Sequence, residues 1–217
     1  MSNGPYSRQV CNALKAIDGF TIEELPRLHT YSADTSERVL KELIMFACCP
    51  SNHTLIILGR KHIQRINRKW RLEHILDAAK ECLDFSDDWE YQRFLELIDL
   101  SAFELLKDAI LIGKESDNAE VKEASQDFEE YYEHISAQPD ENFCNEILKS
   151  VSREEPLWQI AEIAYKYKVL GMSRDHMYKL LESIRGETKT AAQEDAILNL
   201  MDMMFGWCLP ELRIYED

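Results

Sequence analysis

The sequence RKWRLEHILDAAKECLDFSDDWEYQRFLELIDL, residues 68–100, decides the fold class. In its first half, apolar side chains recur three or four residues apart from Trp70 to Leu83. In its second half, the segment from Tyr91 to Ile98 repeats that spacing after a short polar turn. This period places apolar side chains on one face of an α-helix, and an aspartate in the turn can cap the second helix. The stretch therefore predicts two amphipathic helices joined by a tight turn.

Helical spacing continues on both sides of this stretch, and no run of six or more residues alternates strictly between apolar and polar. The chain has 217 residues, of which 45% are hydrophobic and only seven are Gly, a composition typical of folded proteins rich in helix formers. We therefore predict an all-α fold. The predicted helices are residues 6–18, 35–49, 55–66, 68–83, 88–100, 101–113, 116–135, 142–150, 156–169, 173–185 and 190–205.

Capping signals predict where three of these helices begin. Ser173 can accept a hydrogen bond from a first-turn amide of the helix that follows it. Ser101 and Glu104 have the spacing of a capping box, in which each side chain bonds a backbone amide of the other. Thr190 and Gln193 have the same spacing and predict a second capping box.

The turns between predicted helices are short, which favours antiparallel neighbours, and helix pairs recur about every 33 residues between 68 and 135. A resemblance to a known protein family is carried by DDWEY (87–91), by the two leucine-rich helices that follow it and by SDNAEVKEA (116–124). The chain resembles HEAT-like helical-repeat proteins over residues 35–135. The resemblance implies an α-solenoid of stacked antiparallel helical hairpins with one continuous surface. The basic segment 60–71 departs from the period, so two or three units are expected to stack.

The C-terminal part, from LGMSRD (170–175) to GWC (206–208), resembles immunity proteins of bacterial polymorphic toxin systems. This resemblance implies a small cytoplasmic protein that neutralises a cognate toxin domain, and it assigns no functional position in this chain. We expect residues 1–138 to hold the N-terminal helices and HEAT-like hairpins. Residues 139–217 are expected to form a C-terminal helical cap packed on the same body, with the apolar tail after Gly206 folded back onto it.

Negative charge is concentrated between Asp77 and Glu146, where there are twenty-one Asp and Glu and only five Lys and Arg. The net charge of this segment, −16, is more negative than the −15 of the whole chain. A localised acidic field attracts cationic partners and repels nucleic acid and anionic membranes. The expected partner is therefore a basic protein, with no nucleic acid and no membrane.

The predicted helix 116–135 carries part of this charge on one strip, here named the acidic ridge. At 100° per residue, the strip is about 80° wide and lies about 120° from the predicted core face of Val121, Ala124, Phe128 and Tyr132. Its carboxylates repel one another, which favours a cation-rich partner; a plain solvated face and a divalent metal site are the alternatives. The ridge consists of Glu120, Glu123, Asp127 and Glu130.

Aromatic residues adjoin acids at two places, Trp89 and Tyr131, and interfaces favour Trp and Tyr as anchors. Packing between helices is the other common use of such residues. The predicted partner-binding residues are Asp87, Asp88, Trp89, Asp117, Glu120, Glu123, Asp127, Glu130 and Tyr131.

Six basic residues fall between positions 60 and 71, a density that can indicate phosphate contacts. The segment adjoins the acidic region in sequence, which favours ion pairs within the protein, or a dipolar surface, over nucleic-acid binding. The six are Arg60, Lys61, Arg65, Arg68, Lys69 and Arg71.

Motifs for catalysis, metal binding and cofactor binding are missing from the sequence, so no catalytic, metal or cofactor residues are predicted. The six cysteines are scattered and are expected to be reduced thiols. The segment from Met1 to Val10 lacks the apolar run of a signal peptide, and no stretch of about eighteen apolar residues occurs, so a cytoplasmic location is expected. An enzyme whose acids or histidines meet only in the folded chain stays an alternative.

Together, these features predict a non-catalytic protein-binding module. The specific hypothesis is a bacterial immunity protein whose acidic surface neutralises a basic toxin domain, such as a nuclease. The alternative is a helical-repeat adaptor or scaffold for another cellular protein. The partner's identity and the oligomeric state stay open.

Overall fold

A computed structural model describes residues 4–49, 51–209 and 212–215. Within these residues the chain forms α-helices and 3₁₀-helices without any β-strand, so the predicted all-α class is confirmed. The α-helices are α1 (Pro5–Lys15), α2 (Ala33–Cys48), α3 (His53–Ile63), α4 (Arg68–Cys82), α5 (Asp88–Ser101), α6 (Leu106–Lys114), α7 (Ala119–Ala137), α8 (Pro139–Ser152), α9 (Leu157–Val169), α10 (Arg174–Arg185) and α11 (Ala191–Met204). The 3₁₀-helices are Ile22–Thr30 and Phe103–Leu105.

The chain divides into two compact units, residues 1–130 and 131–217, with the division inside α7. The core of the first unit is built from side chains such as Leu40, Leu43 and Phe94, all fully buried. The core of the second unit contains Phe143 and Tyr167, whose rings meet edge to face with centroids 5.3 Å apart. The domain boundary expected between residues 138 and 139 stays a prediction.

In the first unit, residues 60–68 run alongside residues 96–104. Three polar contacts each join residues that are 36 positions apart. Because the separation does not change along the contact, the two segments run in the same direction. The contacts are the Arg60–Glu96 ion pair, the hydrogen bond from Gln64 Nε2 to the Leu100 carbonyl oxygen and the Arg68–Glu104 ion pair.

Helices α2 and α3 approach closely at Gly59. A Cβ atom at this position would lie 2.6 Å from the backbone nitrogen of Ala47 and 2.8 Å from the carbonyl carbon of Phe46. Such distances are well below van der Waals contact, so only glycine fits without moving the backbone of α2. A glycine in a helix interior otherwise costs about 1 kcal/mol relative to alanine, so its presence here reflects packing.

The predicted capping box at Ser101 and Glu104 is wrong. Ser101 is the last residue of α5, and its buried hydroxyl has no hydrogen-bond partner among the described residues. A 3₁₀-helix follows, so α6 begins only at Leu106. Glu104 instead forms an ion pair with Arg68, a charged partner 36 residues away that a local pattern does not reveal.

Other predicted helix starts agree better with the structure. Ser173 Oγ accepts a hydrogen bond from the amide of His176, which confirms this cap. Thr190 Oγ1 accepts from the amide of Gln193, but the Gln193 side chain accepts from the amide of Lys189, so the second capping box is half formed. Helix α8 starts at Pro139, three residues earlier than predicted, because proline fits the first turn of a helix.

Within the described residues, the apolar tail packs on the second unit at Cys208 and at its end. Ile214 is fully buried, and the Tyr215 hydroxyl donates to the carbonyl oxygen of Met172 at 2.6 Å. The expectation that the whole tail packs on the body is wrong for Trp207, which is 77% exposed, and for the exposed Leu209 and Leu212. Residues 210 and 211 lie outside the described residues.

One buried histidine in α3, His62, is expected to make the stability of the first unit depend on pH. His62 is 8% exposed, and neither ring nitrogen has a hydrogen-bond partner among the described residues. Burial, assisted by the nearby positive charge of Arg65, lowers the pKa of His62 to about 4. In the unfolded chain this imidazole titrates near its ordinary pKa of 6.5.

We expect His62 to destabilise the native state as the pH falls from about 6.5 towards 4. In this range His62 becomes protonated in the unfolded chain but stays neutral in the folded chain, so acidification favours unfolding. The loss by pH 4.5 is about 2 kcal/mol. Urea unfolding at several pH values should show this loss in the wild type, while His62→Phe lacks this part of it. A constant difference between the two proteins at all pH values would contradict the assignment.

Candidate functional site

Helix α7 is held in the first unit by a buried polar network. The Tyr91 hydroxyl donates to the carbonyl oxygen of Ala109 at 2.8 Å and accepts from the amide of Gly113 at 3.1 Å. Ser125 Oγ lies 3.0 Å from that hydroxyl and is fully buried. Burial raises the pKa of Tyr91 above its ordinary value, so the phenol stays protonated and keeps its donor. The network fixes which face of α7 points inward.

That inward face is centred on Val121 and Ser125, both fully buried. The predicted core residues Ala124, Phe128 and Tyr132 are only half-buried. At 100° per residue, the centre of the acidic ridge is about 160° around the helix from the observed buried face. The ridge therefore lies almost opposite the core rather than beside it, and Glu120, Glu123, Asp127 and Glu130 are all exposed.

Other acids of the segment 77–146 are neutralised by cations of the same chain. Glu96 pairs with Arg60, Glu104 with Arg68, and Glu81 with Lys41. Glu129, one residue from the ridge, pairs with Lys114 at 2.5 Å. The predicted internal pairing of the basic segment 60–71 is thus confirmed at Arg60 and Arg68.

Arg71 of the basic segment has a structural use as well. It is fully buried, and its guanidinium donates to the carbonyl oxygens of Ile63 and Gln64 at 3.2 and 2.9 Å. These carbonyls lie at the end of α3, where the helix leaves acceptors without intrahelical partners. Arg71 therefore satisfies the C-terminus of α3 and is not placed for contact with a phosphate.

The four ridge carboxylates differ from these neighbours in that none forms an ion pair with any residue the structure describes. Glu130 Oε1 accepts a hydrogen bond from Gln126 Nε2 at 3.1 Å, a neutral partner one turn away. Like charges three or four residues apart on a helix destabilise it by a few tenths of a kcal/mol per pair. The fold leaves this repulsion uncompensated.

The remaining predicted acids lie at the start of helices. Asp87 Oδ1 accepts from the amide of Glu90 and caps α5, and Asp88 is the first residue of that helix. Asn118 Nδ2 donates to the carbonyl oxygen of Ser86 at 2.8 Å, which brings the turn before α7, with the exposed Asp117, against the turn before α5. Acids at helix N-termini are stabilised by the backbone amides there. These acids consequently have a local structural role that Glu123, Asp127 and Glu130 lack.

The two predicted aromatic anchors have different surroundings. Trp89 is 63% exposed, with the guanidinium of Arg93 5.5 Å from its ring centroid. Tyr131 belongs to the other unit, where its hydroxyl accepts from Lys166 Nζ at 2.7 Å. Lys166 is buried and also bonds both carboxylate oxygens of Glu146, at 2.9 and 3.1 Å. This buried network was not predicted from the sequence.

The sequence also gave no indication of a cleft of about 390 Å³ in the first unit, lined by α2, α4 and the end of the 3₁₀-helix 22–30. Four carboxylates line it: Glu37 from α2 and Glu73, Asp77 and Glu81 from α4. The three on α4 are spaced four residues apart, so helical periodicity could have revealed their shared face. Only the fold brings them opposite Glu37 and Tyr31.

Among the described residues there is no metal-binding cluster and no disulfide. In residues 4–49, 51–209 and 212–215, no three His, Cys, Asp or Glu side chains are grouped so that they could hold a metal ion. All six cysteines are free, and burial raises the pKa of Cys82 to about 11, well away from a reactive thiolate. No helix in the described part of the chain has both the length and the apolarity to cross a membrane.

Comparison of the chain with known proteins found no match. No family model matches the chain, no curated protein matches it, and no solved structure matches it. Any functional conclusion therefore depends on the residues and geometry of the chain itself.

Proposed function

We propose that this chain is a non-catalytic binding protein that docks a basic protein on its acidic ridge. The observation that carries the proposal is the contrast in charge pairing. Acids near the ridge, such as Glu129, are matched by cations of the same chain. The ridge carboxylates are exposed and have no such match among the described residues. A cationic partner surface would relieve their mutual repulsion on binding.

The helical arrangement we propose is a HEAT-like stack of hairpins in the first unit. Three contacts at a separation of 36 residues, between residues 60–68 and 96–104, support it, because equivalent segments of successive repeats run parallel at one repeat length. Tyr91 of α5 and Ser125 of α7 are in contact at a similar separation, 34 residues. A stack of this kind carries α7 as one of its outer helices and gives the ridge a rigid support.

The specific function we propose is that of an immunity protein, in the cytoplasm, that blocks a basic toxin domain by occluding its active site. The ridge would accelerate the encounter through long-range attraction, and the exposed ring of Trp89 would slow dissociation as an anchor. This combination suits an inhibitor that must capture a lethal enzyme quickly and hold it. The resemblance of residues 170–208 to immunity proteins supports the same proposal.

The partner can be identified by capture with the tagged full-length chain, followed by mass spectrometry. Expression of the captured protein in a bacterial host then separates the two proposed roles. An immunity protein's partner arrests growth when it is expressed alone, and co-expression of this chain restores growth. Growth that is unaffected by the captured protein would indicate an adaptor or scaffold instead.

Reversing the charge of three ridge residues should slow association with the captured partner. For Glu120→Lys, Glu123→Lys and Asp127→Lys combined, we expect the association rate at low salt to fall about 10- to 100-fold. The salt dependence of that rate should also flatten, because electrostatic steering is lost. Stopped-flow or surface-plasmon measurements over a range of NaCl concentrations test both effects.

A matched control changes the net charge equally at exposed acids of the second unit. Asp175→Lys, Glu187→Lys and Asp195→Lys combined should lower the association rate far less than the ridge reversal. Equal rates for the ridge variant, the control and the wild type would remove the acidic ridge from the mechanism.

A further inference from the structure

The cleft between α2 and α4 combines three features that a small cationic group needs. It has a volume of about 390 Å³, within the range of small-molecule pockets. The aromatic residues Tyr31, Trp70 and His74 are among those that line it. Carboxylates from two different helices line the same space. None of these residues belongs to the acidic ridge, so the cleft is a site separate from that of the proposed function.

The carboxylates of the cleft already hold one cation of the protein. Lys41 Nζ lies 2.6 Å from Glu37 Oε1 and also pairs with Glu81, so one ammonium group bridges α2 and α4. These two hydrogen bonds raise the pKa of Lys41 above its ordinary value. The bridge shows that carboxylates of the two helices are close enough to share a single positive group.

Negative charge remains after this bridge is formed. Asp77 has only a distant contact with Lys80, at 3.9 Å on an exposed surface. Glu73 forms no ion pair with any described residue of the chain. Among the described residues, the ion pairs with Lys41 and Lys80 therefore match only part of the charge of the four carboxylates, and negative charge is left where Glu73 and Asp77 line the cleft.

The aromatic wall is ordered by contacts of its own. The Trp70 and His74 rings are stacked, with centroids 4.2 Å apart and planes 16° from parallel. His74 Nδ1 lies 2.7 Å from the carbonyl oxygen of Trp70, which can only accept, so Nδ1 carries the proton and donates. This bond fixes the imidazole against the indole. A flat, fixed ring pair beside carboxylates suits a planar or compact organic cation, through cation–π attraction and charge-assisted hydrogen bonds.

We propose that the cleft binds an organic cation whose charged group is a guanidinium or an ammonium carried on a short alkyl chain. The charged nitrogen group would lie at Glu73 and Asp77, with the alkyl chain against the ring wall. A bare divalent metal ion fits less well, because it requires several oxygen ligands converging at about 2.3–2.6 Å, and no described group is arranged in this way.

The test uses butylguanidinium and butylammonium chloride as probes and butylurea as a neutral probe of similar shape. Binding is followed by NMR through the indole N–H resonance of Trp70, which is identified by its loss in Trp70→Phe. Both cations should shift this resonance with a dissociation constant on the order of 1 mM, and butylurea should bind at least about tenfold more weakly. Equal binding of butylurea would overturn the proposal.

A charge-removing variant tests the assigned residues. Glu73→Gln combined with Asp77→Asn should weaken binding of butylguanidinium about tenfold, because it removes the two carboxylate charges that hold the cation. Both positions are exposed, so the fold should tolerate the change. Glu120→Gln combined with Glu123→Gln removes the same charge from the ridge and should leave the affinity unchanged. Unchanged affinity in the cleft variant would overturn the assignment without affecting the proposed role of the ridge.

A further comparison identifies the source of the cation. If the natural ligand is an arginine side chain of a protein, the peptide acetyl-Gly-Arg-Gly-amide should bind more tightly than butylguanidinium. If the natural ligand is a free amine, the peptide should bind more weakly than the small probe.

Discussion

Gly113→Ala is expected to lower the free energy of unfolding of the first unit by about 3 kcal/mol. A Cβ atom at this position would lie 2.2 Å from Ser125 Oγ and 2.3 Å from Tyr91 Cζ. Neither side chain can yield easily, because Tyr91 and Ser125 are fully buried and hydrogen bonded to each other. The methyl group must therefore push α7 away from α5 or break the polar network that joins them.

The effect should appear as a shift of about 10 °C in thermal unfolding, or as a lower urea midpoint. Gly186→Ala is the matched control. Gly186 has an ordinary helical φ of −67°, and no atom lies within 4 Å of the position that an added methyl carbon would occupy. Alanine there should leave stability unchanged or raise it by about 0.5 kcal/mol, since it restricts only the unfolded chain. Similar stabilities for the two variants would mean that the network around Tyr91 does not hold α7.

The two buried glycines show how far a local pattern can be used. In the sequence, Gly59 and Gly113 appear as single glycines beside apolar segments, and the pattern predicts that Gly113 ends a helix. The structure places both inside helices, at contacts with α2 and with the Tyr91 network. The 3.6-residue period predicts that these helices exist and which faces are apolar. It contains no information about where two helices approach closely, since that depends on residues far away in the chain.

The charged residues of α7 also show what a local sequence pattern can and cannot predict. The exposed strip of the acidic ridge follows from positions on one helix, and the structure leaves all four carboxylates exposed. The predicted angle between the strip and the core is too small, because Ser125 is buried in place of Ala124. Ser125 is inward because Tyr91, 34 residues earlier, supplies its hydrogen-bond partner. A polar residue in a core position is predictable only when its partner is known.

Ion pairing likewise depends on the tertiary fold. That Arg60 and Arg68 pair with acids could be inferred from the neighbouring acidic segment, but the partners Glu96 and Glu104 could not. The cleft could not be predicted from a local sequence pattern either, because its walls come from distant parts of the chain. The spacing of Glu73, Asp77 and Glu81 is visible on one helix, whereas Glu37 and Tyr31 join them only in the folded chain.

Glu146→Gln should cost the second unit about 3 kcal/mol of stability, because it removes a charge partner of a buried lysine. The Lys166 side chain is 6% exposed and that of Glu146 is 33% exposed. After the substitution, the ammonium keeps the Tyr131 hydroxyl, but no full negative charge remains at Glu146 to offset its desolvation. Urea unfolding of the wild type and the variant measures the loss.

Removing the lysine instead should be less harmful. In Lys166→Met the carboxylate of Glu146 keeps its partial contact with water and the hydrogen bond that the Tyr167 hydroxyl donates at 2.8 Å. We expect a loss of about 1 kcal/mol. The asymmetry follows from exposure, since the more buried of the two charges is the more costly one to leave without its partner.

The double variant Glu146→Gln, Lys166→Met completes the cycle and should be more stable than Glu146→Gln alone. The double variant leaves neither Lys166 nor Glu146 as a buried charge without the other. Its loss of stability should therefore be about 2 kcal/mol smaller than the sum of the two single losses. Glu182→Gln, which breaks the exposed pair with Arg185, serves as the control and should cost less than about 0.5 kcal/mol. Additive losses would mean that Lys166 is well solvated without Glu146.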